Sequence, residues 1–372
     1  MRLTQPHLLL ALCALCGANL APAMPIQVPT PLGSAETAAD QPGAMVLLNA
    51  NDISNLRRTK EAYAALIRAG TAQLAYVPQP VAVLAPDPHY TADGVNESGN
   101  TAKQLAADAQ VAYRAGLCYL LTTDPRFAAT AQRILDAWAG TLRQVGMPQG
   151  KADVNFNLPY MIMAASWVRG VGGWNSASFD QFLRTTVLPV SQAANPRNHG
   201  LWGVLLDASA AAYLGDAPRL RAASARWQQL LRGEVAADGT LPEEMQRSGT
   251  SNWRGGPDKG FKGLAYTHYA LLPASLAAKI FADQGQPVWR TRGGLLLQAA
   301  FARAAAWTLH PDTFPYFASN GGHLEGVRNA AYFALLLHYY PNQDAEAVLR
   351  QGNVGMNGFQ LLELFGPPPA GQ

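Results

Sequence analysis

The chain has 372 residues, a net charge of +3, 49% apolar residues and only 14% charged residues. That length allows one large or two medium domains with a sizeable core, and the low charge, against a usual share of about 25%, excludes a disordered polyelectrolyte. The mild positive balance is no nucleic-acid footprint, which needs clustered Lys and Arg, but it is compatible with a cleft that draws in a polyanion.

Residues 1–23 read as a secretory signal. Arg2 supplies a positive start, Leu8 to Cys16 a short apolar run, and Ala21-Pro22-Ala23 a small-residue cleavage site. The run is too short to span a bilayer, so a periplasmic or secreted protein without a membrane anchor is expected. Cleavage removes Cys13 and Cys16 and leaves Cys118, expected as a buried small apolar residue. Residues 24–45, rich in Pro, Ala, Thr and Gly, read as a flexible lead-in, and 46–372 as one helical domain.

Helical signals then run almost unbroken. Asn51-Asp52 caps a segment to about Ala69, with Gly70 as the stop. Residues 71–100 carry Pro78, Pro80, Pro86 and Pro88 and a polar stretch from His89, a loop so long that it is either functional or misread as a loop. The only strand signal of note is Val81 to Leu84. Val111, Ala115 and Tyr119 then mark one face of a helix over 101–121. Thr123-Asp124-Pro125 ends it and starts a second helix with an apolar stripe at Phe127, Ala131, Ile134, Leu135, Trp138 and Leu142. The same helix, polar turn, helix unit returns at Gly215-Asp216-Ala217-Pro218, near Gln284 to Pro287, and at Tyr340-Pro341-Asn342. Helices apolar all round alternate with one-faced helices. The pattern predicts an all-α body in which an inner ring is wrapped by an outer one.

Chemistry concentrates in two stretches. Asn198-His199-Gly200-Leu201-Trp202 opens an apolar helix with an amide, an imidazole and an indole; Trp202 is expected as a sugar platform. Taken alone, a histidine at a helix start more often just satisfies the local fold. Leu264-Ala265-Tyr266-Thr267-His268-Tyr269-Ala270-Leu271 offers a phenol, although tyrosines at helical spacing are usually core. Arg247 and a Gly-rich loop over 248–263, with Arg254, Lys259 and Lys262, lie between. This loop is either a plain surface excursion or a basic lid over an anionic ligand, with Arg254 and Lys259 in contact with it. Asn157, near Pro159, reads as a helix cap or a groove residue. There is no Gly-rich phosphate loop, no CxxC and no HExxH; no metal or cofactor is expected.

These stretches resemble the alginate-lyase superfamily of polysaccharide lyases. Asn198-His199-Gly200-Leu201-Trp202 is similar to that family's catalytic Asn-His segment, and Leu264 to Leu271 to the segment bearing its catalytic tyrosine. Asp238-Gly239-Thr240-Leu241-Pro242, with Glu244 and Arg247, resembles the lead-in to its catalytic arginine. The resemblance implies an incomplete (α/α) toroid of helical hairpins and a catalytic set of Asn198, His199, Arg247 and Tyr266. In one respect the chain departs. The family's arginine lies about two helical turns before the tyrosine, where ungapped counting finds Lys259. The Leu-Pro-x-Glu register selects Arg247.

The chemistry needs such a set. A C5 proton beside an ionised uronate carboxylate leaves only if that charge is neutralised as the enolate develops. Asn198 and Arg247 are assigned to the carboxylate, His199 or ionised Tyr266 to the proton, and Tyr266 to the departing O4. The expected function is β-elimination of a uronate polymer, alginate (chiefly mannuronate) or glucuronan, by a monomer. A helical-toroid glycoside hydrolase, which needs two opposed carboxylates, and a non-catalytic periplasmic polysaccharide-binding protein are the rivals.

Overall fold

Helix α1 (Ala50–Arg58) begins at an Asn49 capping box closed by Asp52. Its N-cap therefore lies two residues earlier than the sequence suggests. Thr59 interrupts the run to about Ala69, which resumes through a 3-10 turn as α2 (Ala64–Thr71). The structure is a computed structural model that describes residues 44–91, 94–95, 102–146, 148–250 and 254–366. The signal segment and nearly all of the lead-in lie outside them.

The polar turns fold as expected. Between α3 (Lys103–Thr122) and α4 (Pro125–Thr141), Thr123 takes a left-handed conformation, Asp124 caps, and Pro125 sits at the first helical position, where its missing N–H costs nothing. Gly215 and Asp216 do the same between α7 (Arg197–Leu214) and α8 (Ala217–Glu234). The remaining elements are α5 (Gln149–Val168), α6 (Ala177–Phe182), α9 (Pro242–Met245), α10 (Gly263–Asp283), α11 (Arg292–Leu309), α12 (Phe333–Leu336), α13 (Gln343–Gln351) and α14 (Leu361–Phe365). Strand structure among the described residues is confined to two-residue pairs. One is Val83–Leu84, parallel to Gln144–Val145; the other is Tyr90–Thr91, antiparallel to Gly94–Val95.

Helices α3, α5, α7 and α10 pack each on the next, while α4, α8 and α11 cover them from outside. The inner members α5, α7 and α10 are buried almost all round. The outer α4 and α8 bury one stripe, including Trp138 and Trp227. This is an incomplete (α/α) toroid of helical hairpins. Short turns make the partners of each hairpin antiparallel, so the inner helices run in one direction. Their N-termini gather at one end of the ring.

The helix-cap reading of Asn157 changes. Asn157 lies inside a helix and does not open one; α5 starts at Gln149 and runs through Pro159. Pro159 cannot donate to the Asn155 carbonyl, a loss that normally kinks a free helix. Here the helix is clamped by neighbours on several sides, and Asn155 Nδ2 ties it to the Val190 carbonyl at 3.1 Å.

Candidate active site

A cavity of about 450 Å³ opens where the first turns of α5, α7 and α10 meet. Gln149, Asp153 and Phe156 come from α5, Arg197, Asn198 and His199 from α7, and Tyr266 and Tyr269 from α10. Helix N-termini carry positive partial charge, so three inner helices aim a field that favours an anion at the same space. Arg247 and Lys262 line it too, as does His89 from the proline-rich segment.

Asn198 is held rigidly. Its backbone N–H and its Nδ2 both donate to Glu244 Oε1, at 2.9 and 2.8 Å. Glu244 is 1% exposed. Burial raises its pKa, opposed by the Asn198 donors and by Arg247 nearby. One amide N–H is thus spent on Glu244, which leaves the second for a ligand. Gly200 permits the approach: a Cβ there would stand 2.1 Å from the Asn195 carbonyl. His199 shares its Nδ1 with Gln192 Oε1 at 3.0 Å. The amide oxygen accepts, so Nδ1 carries the proton and the basic lone pair sits on Nε2. Burial lowers the His199 pKa below its ordinary value, and Arg247 and Arg197 push the same way. The imidazole is therefore neutral at pH 7.

Arg247 lies with its guanidinium carbon 4.2 Å from the centre of the Tyr266 ring. The 18 residues between them in sequence are looped out. Lys262 N–H returns to the Arg247 carbonyl at 3.0 Å, and Gly260 N–H to the Gln246 carbonyl at 3.3 Å. Gly263 makes the closure possible, since a Cβ there would stand 2.0 Å from the Met245 carbonyl. The four residues expected to carry the chemistry therefore line one cavity.

The four expected substrate contacts do not. Trp202 is 3% exposed and packs beneath the cavity against Phe156 and Tyr269, with ring centres 5.3 and 5.2 Å apart. It cannot offer a face to a sugar; it supports the rings that do line the cavity. Asn157 is neither cap nor groove residue, because its Nδ2 bonds back to the Asp153 carbonyl at 2.8 Å, mid-helix. Arg254 is paired with Glu243, which also binds Arg197 at 3.2 Å. Lys259 sits over the Tyr316 ring, 5.4 Å from its centre. Of the loop cations it is Lys262 that reaches the cavity, facing Glu325 at 3.5 Å. The described part of the loop also folds on itself, through Ser248 to the Gly255 carbonyl and Gly249 N–H to Asp258.

Residues 58–314 match the alginate lyase family model. The chain belongs to the alginate lyase family. It is a polysaccharide lyase. Its fold is shared by an alginate lyase from Bacteroides ovatus, with a TM-score of 0.68 and 15% identity over 87% of this chain and 99% of that one. Alginate lyase A1-III from Sphingomonas species A1 gives 0.64 and 15% over 91% and 100%. A variant of A1-III complexed with tetrasaccharide gives 0.58 and 16% over 82% and 95%. No curated protein sequence matches the chain significantly. Among the described residues of the lyase, no helix is long and apolar enough to cross a membrane, and no group of three or more His, Cys, Asp or Glu side chains could hold a metal ion.

Three residues of the site were not expected. Arg197 precedes the Asn-His pair with φ +62°, a left-handed conformation that a non-glycine residue keeps only when its surroundings hold it. Here Glu234 accepts its N–H at 3.1 Å and Glu243 its guanidinium. Gln192 orients His199 from seven residues upstream. Asp153 brings a buried carboxyl into the wall of the cavity. None of the three has a local sequence signal.

Proposed function

We propose that the enzyme eliminates mannuronate or glucuronate linkages through Asn198, Arg247, His199 and Tyr266. The observation that carries this reading is the Arg247 guanidinium laid against the Tyr266 ring at the mouth of three helix N-termini. Arg247 and the second N–H of Asn198 take the uronate carboxylate, and the C5 carbanion charge delocalises onto it. Neutral His199 lies beside them. Tyr266 removes the C5 proton as phenolate and returns a proton to O4, aided by the cation beside it. The C5–H and C4–O bonds break, a C4–C5 double bond forms, and the leaving chain departs as an alcohol.

The stereochemistry follows from one phenol doing both steps. In mannuronate and glucuronate the C5 hydrogen and the C4 oxygen lie on one side of the ring, within reach of one group. Guluronate places its proton on the far face and needs a separate base. Arg197 and Lys262 are placed to meet carboxylates of neighbouring units, and Phe156 and Tyr269 offer ring surface to the sugars. The signal-like amino-terminal segment supports export to the periplasm or beyond, and we read the working form as a monomer.

The decisive experiment follows ultraviolet absorbance of the unsaturated uronyl end on block-defined polymannuronate, polyguluronate and glucuronan. Faster cleavage of polyguluronate than of the other two overturns the single-tyrosine mechanism and makes His199 the base. No absorbance with any uronan removes the reading altogether.

A further inference from the structure

Asp153 is out of place in this cavity by ordinary electrostatics. The ligand is a polyanion, yet α5 puts a carboxyl into the wall that meets it. The residue is 4% exposed. Its Oδ1 accepts from Gln149 Nε2 at 3.1 Å, and its Oδ2 is buried with no hydrogen-bond partner among the described residues. No ion pair to Asp153 is present among them. An ionised carboxylate in that position has lost water on one oxygen and gained nothing for it, and it repels every uronate that enters. A neutral carboxylic acid has neither problem. Its O–H is a donor.

We propose that Asp153 enters the substrate complex as a neutral carboxylic acid and donates its O–H to an oxygen of the bound uronan, so that binding is linked to uptake of a proton. This rests on the uronan reading above. Burial already pushes the Asp153 pKa up to about 6 in the free enzyme, with the Gln149 hydrogen bond opposing. An arriving carboxylate raises it further. The other charged or titratable side chains of the cavity are Arg197 and His199 from α7, Tyr266 and Tyr269 from α10, Arg247 and Lys262 from the segment before α10, Glu325, and His89. Of these, Arg197, Arg247 and Lys262 favour an ionised Asp153, whereas Glu325 opposes it. His199 is held neutral and contributes no charge at pH 7. Below about pH 6 the free enzyme already carries the proton, and binding takes up little. Above it, affinity falls with rising pH because the proton must be captured.

The test separates binding from turnover. Titrate a mannuronate tetrasaccharide into Tyr266→Phe by calorimetry at pH 5.5 and pH 7, in two buffers of different ionisation enthalpy. Run the same titrations on Tyr266→Phe/Asp153→Asn, since an amide keeps a donor and carries no titratable proton. The proposal expects proton uptake at pH 7 in the first protein and none in the second. It also expects the Asn variant to bind at least as tightly as its parent at pH 7 and within about threefold at pH 5.5. Persisting uptake in the Asn variant, or no uptake in its parent, overturns it. So does a more than tenfold affinity loss in the Asn variant at both pH values, which would mark an ionised acceptor for sugar hydroxyls. The ultraviolet assay on wild type stands apart. If it detects no lyase product, the uronan reading has failed; if it does, the calorimetry judges Asp153 alone.

Discussion

Helix α10 buries a cation near each end, and the two ends do different work. At its C-terminal end Lys279, with a side chain 3% exposed, donates to Asp283 at 2.5 and 2.7 Å and to Asp52 at 2.9 Å. Asn49 Nδ2 completes the group through Asp283, and the network ties α1 to the ring. At the N-terminal end Arg247, 6% exposed, meets a phenol ring and a cavity. In its second turn, His268 is wholly buried, with its nitrogens near Tyr332 Oη, Thr308 Oγ1 and the Val327 carbonyl. Burial lowers its pKa to about 4. Burial of a charged or titratable group thus says little by itself. What meets the group decides: Lys279 is enclosed by carboxylates, whereas Arg247 also lies against a ring and lines a cavity.

The sharpest break between the two ends is Tyr266→Phe. Loss of the phenol should cut elimination by about 1000-fold or more while the melting temperature stays near wild type, because the ring contact with Arg247 survives. Substantial turnover in that variant would return Tyr266 to the core. At the other end, Lys279→Met should leave Asp52 and Asp283 facing each other and cost about 3–5 kcal/mol of stability. Turnover per folded molecule should hardly change below the new melting point. If Lys279→Met loses catalysis before it loses fold, the contrast between the ends collapses.

Arg247→Ala and Lys259→Ala refine the N-terminal end. The first should cost roughly 100-fold in turnover and the second under about twofold, since only the first cation touches Tyr266 and only Arg can grip a carboxylate with two parallel donors. The reverse order would restore the ungapped register. His199→Ala should lose about 100-fold if the imidazole handles a proton; a loss confined to KM would make it a positioning group. Its protonation gives an acid limb below pH 6.5, because its pKa is depressed. Arg197→Gln removes one of the charges responsible and should move that limb upward.

A further effect is on stability. The folded pKa of Asp153 lies at about 6, above its ordinary value, so the folded state holds the proton more tightly than the unfolded chain. Stability therefore falls as pH rises from about 4 to about 6 and stays lower above. Asp153→Asn should be more stable than wild type at pH 8, by up to about 3 kcal/mol, and no more stable near pH 4. Equal melting temperatures at pH 8 would show that the carboxylate is well solvated.

The sequence alone determined the hairpin unit and pointed to the polar groups that line the cavity. Thr123-Asp124-Pro125, Gly215-Asp216 and Asn342 act through backbone angles and caps within a few residues, so their meaning survives without neighbours. The Asn198-His199 pair and Tyr266 were legible because each opens a helix. Tertiary structure decided the rest. Which cation joins Tyr266 depended on a loop whose ends are tied by the Lys262 and Gly260 N–H groups, and chain distance carries no information about such a tie. Trp202 shares a helix with Asn198 and His199, but α5 and α10 bring Phe156 and Tyr269 over it, and three packed rings exclude the sugar. Glu244, Gln192, Lys262 and Asp153 gain their roles from partners on other elements. Propensity acts locally along the chain. The convergence of three helix N-termini on one cavity is a property of how the ring packs.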